Sequence, residues 1–205
     1  MMVGASVACS AAPPPSAIAT EPNSAVASER DRVESRSAEP SRATVPEGYL
    51  GGLRELDVDA PPSIVMDVLA DPEAYRRTLP YVRSLAVTGR GPQGEALVTI
   101  VQGTAGVFGG YTAHLLRERA DRVHIWLDGA LPHDIAAADG FAEVSPREGG
   151  GSHLVWFLAF DVGAAMRFFF GAKIQRSAMT TPDRIRALAE ERAKAAVPPQ
   201  LRRCE

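Results

Sequence analysis

The sequence has few of the residues on which metal and disulfide sites depend. It contains only two cysteines and four histidines in 205 residues. Cys9 and Cys204 stand near opposite ends of the chain, so they predict neither a disulfide framework nor a cysteine metal site. The histidines do not recur at metal-ligand spacing on any one predicted element. We therefore expect no metal and no cofactor.

An excess of charge of one sign is also missing. Basic and acidic side chains number 22 and 25 in the whole chain, and 18 and 19 from residue 48 onward. Proteins that bind nucleic acid need a basic face, so nucleic acid is not an expected partner. A run of about 18 apolar residues is lacking too, and we expect no transmembrane helix.

Large apolar side chains are scarce in the first quarter of the chain. Residues 1–47 are dominated by Ala, Ser, Pro, Glu and Arg. Such a composition cannot bury enough apolar surface to offset the entropy of ordering the chain. The sequence thus predicts a disordered tether over 1–47, a folded domain over 48–196 and a disordered tail over 197–205.

The first nine residues, MMVGASVAC, resemble the end of a lipoprotein signal, in which small residues precede a cysteine that receives a lipid anchor. Cys9 is the lipidation candidate. Ser6 and the absence of a basic start depart from that pattern. Two interpretations stay open: an envelope lipoprotein whose true start lies upstream of Met1, or a cytoplasmic protein whose tail carries an incidental cysteine.

Two helix starts follow one another in residues 59–80, DAPPSIVMDVLADPEAYRRTLP. Pro61 and Pro62 fix φ for a first turn in which a missing N–H costs nothing, and an apolar stripe follows at helical spacing. Asp71 is predicted to cap the second helix and Pro72 to begin it. The alternating residues 53–58 predict a strand before the helices.

From residue 82 onward, apolar alternation between regularly spaced turn signals is typical of an antiparallel meander. Beyond Gly163 an apolar stripe predicts a long C-terminal helix, kinked or restarted at Thr181-Pro182-Asp183, because a proline inside a helix loses a hydrogen bond. We place the strands of the meander near residues 82–89, 95–103, 107–118, 122–129, 134–145 and 152–162.

The hairpin turn at Ala120-Asp121 allows its register to be predicted. Pairing Arg119 with Arg122 puts His114 on the same face as the apolar side chains of the hairpin. The C-terminal helix is the only predicted element large enough to cover that face. We therefore expect His114 to lie inside.

This order of elements resembles the helix-grip fold of the START-like (SRPBCC) superfamily, which includes the polyketide cyclase/dehydrase group and the coenzyme Q-binding START-domain proteins. The resemblance covers roughly residues 50–192 and implies an α+β fold, with a curved antiparallel sheet of about six to seven strands wrapped around the C-terminal helix. Ser152 and Trp156 stand where the family has Thr and Tyr. The best-matching parts are VDAPPSIVMDVLADPEAYRRTLPYVRSLAV, GGYTAHLLRERADRVHIWLDG and DGFAEVSPREGGGSHLVWFLAF.

The resemblance implies a cavity between sheet and helix that binds or transports a hydrophobic small molecule, such as a lipid, a quinone or a polyketide-like compound. Two alternatives stay open: a polyketide cyclase/dehydratase with His114 as proton shuttle, or an envelope-tethered interaction module without ligand. The oligomeric state is not indicated by the sequence. The predicted cavity-lining side chains are Tyr75, Leu79, Tyr81, Phe108, Tyr111, His114, Trp156, Phe160, Met166, Phe169 and Phe170.

Overall fold

The computed structural model describes residues 43–104 and 106–196. The predictions for Cys9, Cys204, residues 1–42 and the tail lie outside the described residues. Seven strands form one antiparallel sheet, and the helices follow where the sequence predicts them, so the helix-grip fold is confirmed. The elements are β1 (Leu50–Val58), α1 (Pro62–Leu69), a 3-10 helix (Pro72–Ala74), α2 (Tyr75–Thr78), β2 (Val82–Arg90), β3 (Ala96–Thr104), β4 (Val107–Arg119), β5 (Arg122–Leu127), β6 (Ala137–Pro146), β7 (Ser152–Asp161), α3 (Ala164–Ala178) and α4 (Thr181–Ala196).

The sheet has the strand order β1-β7-β6-β5-β4-β3-β2. β2 to β7 form the predicted meander, and β1 joins it by pairing with β7. The two helix starts lie between the edge strands β1 and β2, with Pro61 before α1 and with Asp71 accepting from the Glu73 N–H at 3.0 Å. The short helices therefore connect the two edges of the sheet.

The structure corrects the predicted register of the β4–β5 hairpin. Arg119 lies opposite Arg122 as predicted, but a β-bulge between Arg117 and Arg119 shifts the remaining pairs by one residue, and His114 lies opposite Trp126. A shift of one residue moves each side chain to the other face of the sheet. The prediction that His114 lies on the inner face was therefore wrong.

Helices fill one half of the inner face of the sheet. α1 packs on α4 and on β5 and β6. Leu154 of β7 and Val123 of β5 are fully buried there, together with Val65 of α1 and Ile185 of α4. Full burial of such a side chain contributes about 1.5–3 kcal/mol, so this filled half supplies much of the stability of the domain.

The outer face is covered at one place by the residues that precede β1. Ala43, Val45 and Tyr49 pack against a small apolar cluster formed by Phe141, Phe157 and Ala159. The packed part of the chain thus includes residues 43–47, which the composition assigns to the tether.

The C-terminal helix restarts at Thr181, as the proline at position 182 predicts. Arg54 of β1 fixes the break between α3 and α4. Its guanidinium donates to the Met179 carbonyl at 3.1 Å and lies 3.4 Å from the Asp183 carboxylate. Among the described residues, no helix is both long and apolar enough to cross a membrane.

α3 packs chiefly on the edge strand β1. The Gln175 amide donates to the Gly51 carbonyl at 2.7 Å and accepts from the Gly51 N–H at 2.6 Å. Gly51 has φ +121°, and a Cβ there would lie 1.9 Å from the Leu158 carbonyl oxygen, so only glycine fits this position. The reciprocal amide pair attaches α3 to the edge of the sheet, in addition to the ion pair between Arg167 of α3 and Asp161 of β7 at 3.2 Å.

Candidate functional site

The second half of the inner face lies below α3 and is only partly covered. Tyr111, Ile125 and Leu158 pack on the edge of the core and remain partly exposed. Gly109 of β4 shares this face with Tyr111 and leaves space, because a Cβ there would have only the Asp134 Cβ within 4 Å. We call this half of the inner face the groove; its other positions are Leu127 and Ala138, which are partly exposed, and Ala113 and Gly140, which are buried.

α3 crosses over the groove from one edge of the sheet towards the other. Gln175 attaches it to β1, while the Lys173 Nζ lies 6.0 Å from the ring centroid of Tyr81, immediately before β2. Met166 and Ile174 of α3 are partly buried. The helix therefore extends from β1 to the start of β2 and forms a roof over the groove.

One polar pair faces the groove. The Tyr111 hydroxyl donates to Gln102 Oε1, and Gln102 Nε2 donates to the Pro80 carbonyl at 3.2 Å. Burial raises the pKa of the Tyr111 phenol, so it stays protonated at neutral pH. Towards a ligand in the groove, the Tyr111 hydroxyl oxygen can act as an acceptor and the second Gln102 amide N–H as a donor.

Gln102 was not among the predicted site residues. A signal was present, because Gln102 continues the inner-face series of Val98 and Ile100 on β3 and interrupts its apolar pattern. Gln175 was also missed, and no sequence pattern marks it, because its partner is a backbone group distant in the chain.

Trp156 and Phe160 of β7 lie on the inner face as the alternation of the strand requires, and both are buried. The Trp156 Nε1–H has no hydrogen-bond partner among the described residues. Tyr75 and Leu79 belong instead to the filled half. The Tyr75 hydroxyl donates to the Leu69 carbonyl at 2.9 Å, and Leu79 packs against the core, so these two residues support the helices at the end of the sheet.

The remaining aromatic candidates lie around the groove or outside it. Tyr81 is 51% exposed and Phe108, on the outer face of β4, is 50% exposed. Phe169 and Phe170 of α3 are 73% and 41% exposed. Phe169 and Phe170 were predicted to line the groove because they belong to the C-terminal helix, but both side chains are exposed to solvent.

His114 lies on the outer face, between two carboxylates. Its Nδ1 is 3.2 Å from Glu95 and its Nε2 is 3.2 Å from Asp128, and the ring stacks on Trp126 with centroids 4.6 Å apart. His124 contacts the same indole at 4.7 Å. The arrangement orients the His114 ring rigidly, but the sheet separates it from the groove.

Glu95 is the buried carboxylate of this outer cluster. Burial alone would raise its pKa, but hydrogen bonds from the backbone N–H groups of Glu95 and Gln93 and from His114 lower the pKa below its usual value. Across the described ranges, no three His, Cys, Asp or Glu side chains are arranged to hold a metal ion.

Several solved structures share this architecture. The Zhui aromatase/cyclase from a Streptomyces species has a TM-score of 0.61 and 18% identity, over 72% of this chain and 98% of that chain. A protein from Thermus thermophilus has a TM-score of 0.58 and 19% identity, over 72% and 99%. A START superfamily protein from Mycobacterium smegmatis has a TM-score of 0.56 and 15% identity, over the same shares. At such identities the similarity shows the fold alone.

The family assignment comes from the sequence. No curated protein matches the chain. The family model described as polyketide cyclase / dehydrase and lipid transport matches residues 54–190, which span the sheet from β1 to β7, α3 and most of α4. The chain therefore belongs to the polyketide cyclase/dehydrase and lipid transport family of the START-like superfamily.

Proposed function

We propose that the protein binds a hydrophobic small molecule in the groove and releases it unchanged. One observation carries this proposal: half of the inner face is packed by α1 and α4, whereas the half below α3 keeps partly exposed apolar side chains and small residues. A roofed apolar surface with a few polar groups is the usual form of a small-molecule site. The family to which the chain belongs is consistent with this function.

The groove favours a ligand that carries at least one oxygen. The Tyr111 hydroxyl and the Gln102 amide are the polar groups that face it, and both are held in place by their own hydrogen bonds. A quinone or ring ketone can accept from the second Gln102 N–H, and a lipid with a hydroxyl end can also donate to the Tyr111 oxygen, while a plain hydrocarbon would leave both groups without a ligand partner.

The polyketide cyclase/dehydratase alternative loses the residue on which it depended. His114 is on the outer face, where it contacts Glu95 and Asp128. The other described histidines lie on the outer face of the sheet or in the loop before β6. Binding without His-based proton transfer is therefore the function that the geometry favours.

Native mass spectrometry of the purified full chain tests the proposal. We expect a co-purifying apolar adduct that is lost when the protein is denatured, together with saturable binding of the apolar dye ANS. Gln102→Leu should weaken binding of a decylubiquinone probe by about five- to tenfold, the value of one lost hydrogen bond, because the second amide N–H of Gln102 is the donor that a quinone oxygen can accept from. His114→Ala serves as the matched control on the opposite face and should leave that affinity unchanged. A protein that carries no adduct and shows no saturable binding of either probe would overturn the proposal.

A further inference from the structure

Three consecutive phenylalanines stand on the outward side of α3. Phe168, Phe169 and Phe170 are 84%, 73% and 41% exposed. Their rings contact one another, with centroids 5.1 Å and 6.4 Å apart. An exposed aromatic cluster of this kind on a folded protein marks a surface that contacts something else.

The exposed surface continues from α3 to Tyr81, immediately before β2. The Lys173 Nζ lies 6.0 Å from the centroid of the Tyr81 ring, which is 51% exposed. We call this surface the aromatic rim; it consists of Phe168, Phe169, Phe170 and Tyr81 with the cations Lys173 and Arg176 of α3.

The charge of the rim is one-sided. α3 carries Arg167, Lys173 and Arg176 and no acidic residue, although the chain as a whole has a net charge of −3. Arg167 is paired with Asp161 at 3.2 Å. In the described part of the chain, no carboxylate oxygen lies within 4.0 Å of the other two cations. The rim therefore combines apolar rings with free positive charge.

We propose that the aromatic rim docks the protein onto the surface of an anionic lipid bilayer. Aromatic side chains are favoured at the boundary between headgroups and acyl chains, and neighbouring Lys and Arg side chains are attracted by anionic headgroups. Lys and Arg side chains keep their charged ends among the headgroups while their stems lie along apolar surface. This docking depends on the surface alone. If the proposed ligand site also holds, docking brings the groove close to the bilayer, with α3 between the two.

Flotation of the full chain with lipid vesicles tests the docking. The parent chain and all its variants carry Cys9→Ser in this assay, so that a lipid attached to Cys9 cannot contribute to vesicle binding. We expect binding to vesicles of phosphatidylcholine with phosphatidylglycerol, weaker binding to phosphatidylcholine alone, and a decrease as salt rises. Phe168→Ser with Phe169→Ser should weaken binding by about tenfold or more, and Lys173→Glu with Arg176→Glu should remove the preference for the anionic vesicles.

Val87→Ser is the matched control, because Val87 is an exposed apolar residue on β2 outside the rim. It should bind vesicles as the parent does, and thermal melts should show that each variant is folded. Three results would overturn the proposal: no binding to anionic vesicles, unchanged binding by the phenylalanine variant, or a dimer that dissociates in that variant while vesicles are ignored. Ligand adducts are measured separately, so loss of docking and loss of the proposed function remain distinguishable.

Discussion

Gly109 offers a way to close the groove without disturbing the sheet. It lies on the inner face of β4, two residues before Tyr111. A Cβ built at Gly109 would meet only the Asp134 Cβ, at 3.6 Å, which is ordinary van der Waals contact. Gly109→Leu therefore places a branched apolar side chain in the open half of the inner face.

The expected magnitudes separate binding from stability. Replacing a strand glycine by a residue with a side chain removes a cost of about 0.5–1 kcal/mol, so the variant should melt within a few degrees of the parent. A bound ligand, in contrast, must accommodate the added leucine. Overpacking of that kind costs about 1–3 kcal/mol, which raises the Kd by about five- to 140-fold.

The assay is an ANS titration followed by native mass spectrometry of the purified variant. Gly110→Leu is the matched control, since it adds the same side chain one residue along, on the outer face, where the nearest atoms to its Cβ are 3.7 Å away. We expect Gly109→Leu to lose dye affinity and adduct while Gly110→Leu keeps both. Equal affinities for the two variants would refute the location of the ligand in the groove.

Three further substitutions test the attachment of α3, the packing of the filled half and the lowered pKa of Glu95. Gln175→Leu removes both hydrogen bonds to Gly51 and should lower the free energy of unfolding by about 1–3 kcal/mol in urea titrations, with faster release of bound dye as α3 loosens; unchanged stability and release would show that this amide pair does not hold α3. Leu154→Ala empties a fully buried position in the filled half and should cost about 2–5 kcal/mol by the same measurement, while a loss below 1 kcal/mol would contradict the packing of that half. The folded pKa of Glu95 is lowered, so its carboxylate stabilises the fold above the usual value of 4.5, and this stabilisation is lost as the pH falls below it. Glu95→Gln should therefore be less stable than the parent at pH 7, with the difference shrinking in urea titrations at acid pH; a difference that does not vary with pH would contradict the lowered pKa.

Local signals were enough to predict most of the fold. The caps at Pro61 and Asp71 begin the helical segments where they were expected, and Pro182 ends α3 and starts α4. Each of these residues acts through its own backbone geometry or through neighbours a few positions away. Strand positions followed from alternation for the same reason.

The candidate site was predicted less well because it depends on contacts between distant residues. A single bulge near Glu118 reversed the face of His114, and the alternation of β4 gives no sign of where a bulge occurs. Phe169 was assigned to the groove from its place on the C-terminal helix, yet the path of α3 leaves it exposed. That path depends on contacts such as the one between Gln175 and Gly51, which are 124 positions apart.

The same amide pair has a consequence for self-association. β1 is an edge strand, and a free strand edge can pair with a second copy of the chain. At Gly51 the side-chain amide of Gln175 satisfies the outward N–H and C=O as the backbone of a neighbouring strand would. Loss of this one side chain would therefore open a template for edge-to-edge aggregation, and the concentration at which the Gln175→Leu protein aggregates reports on that protection.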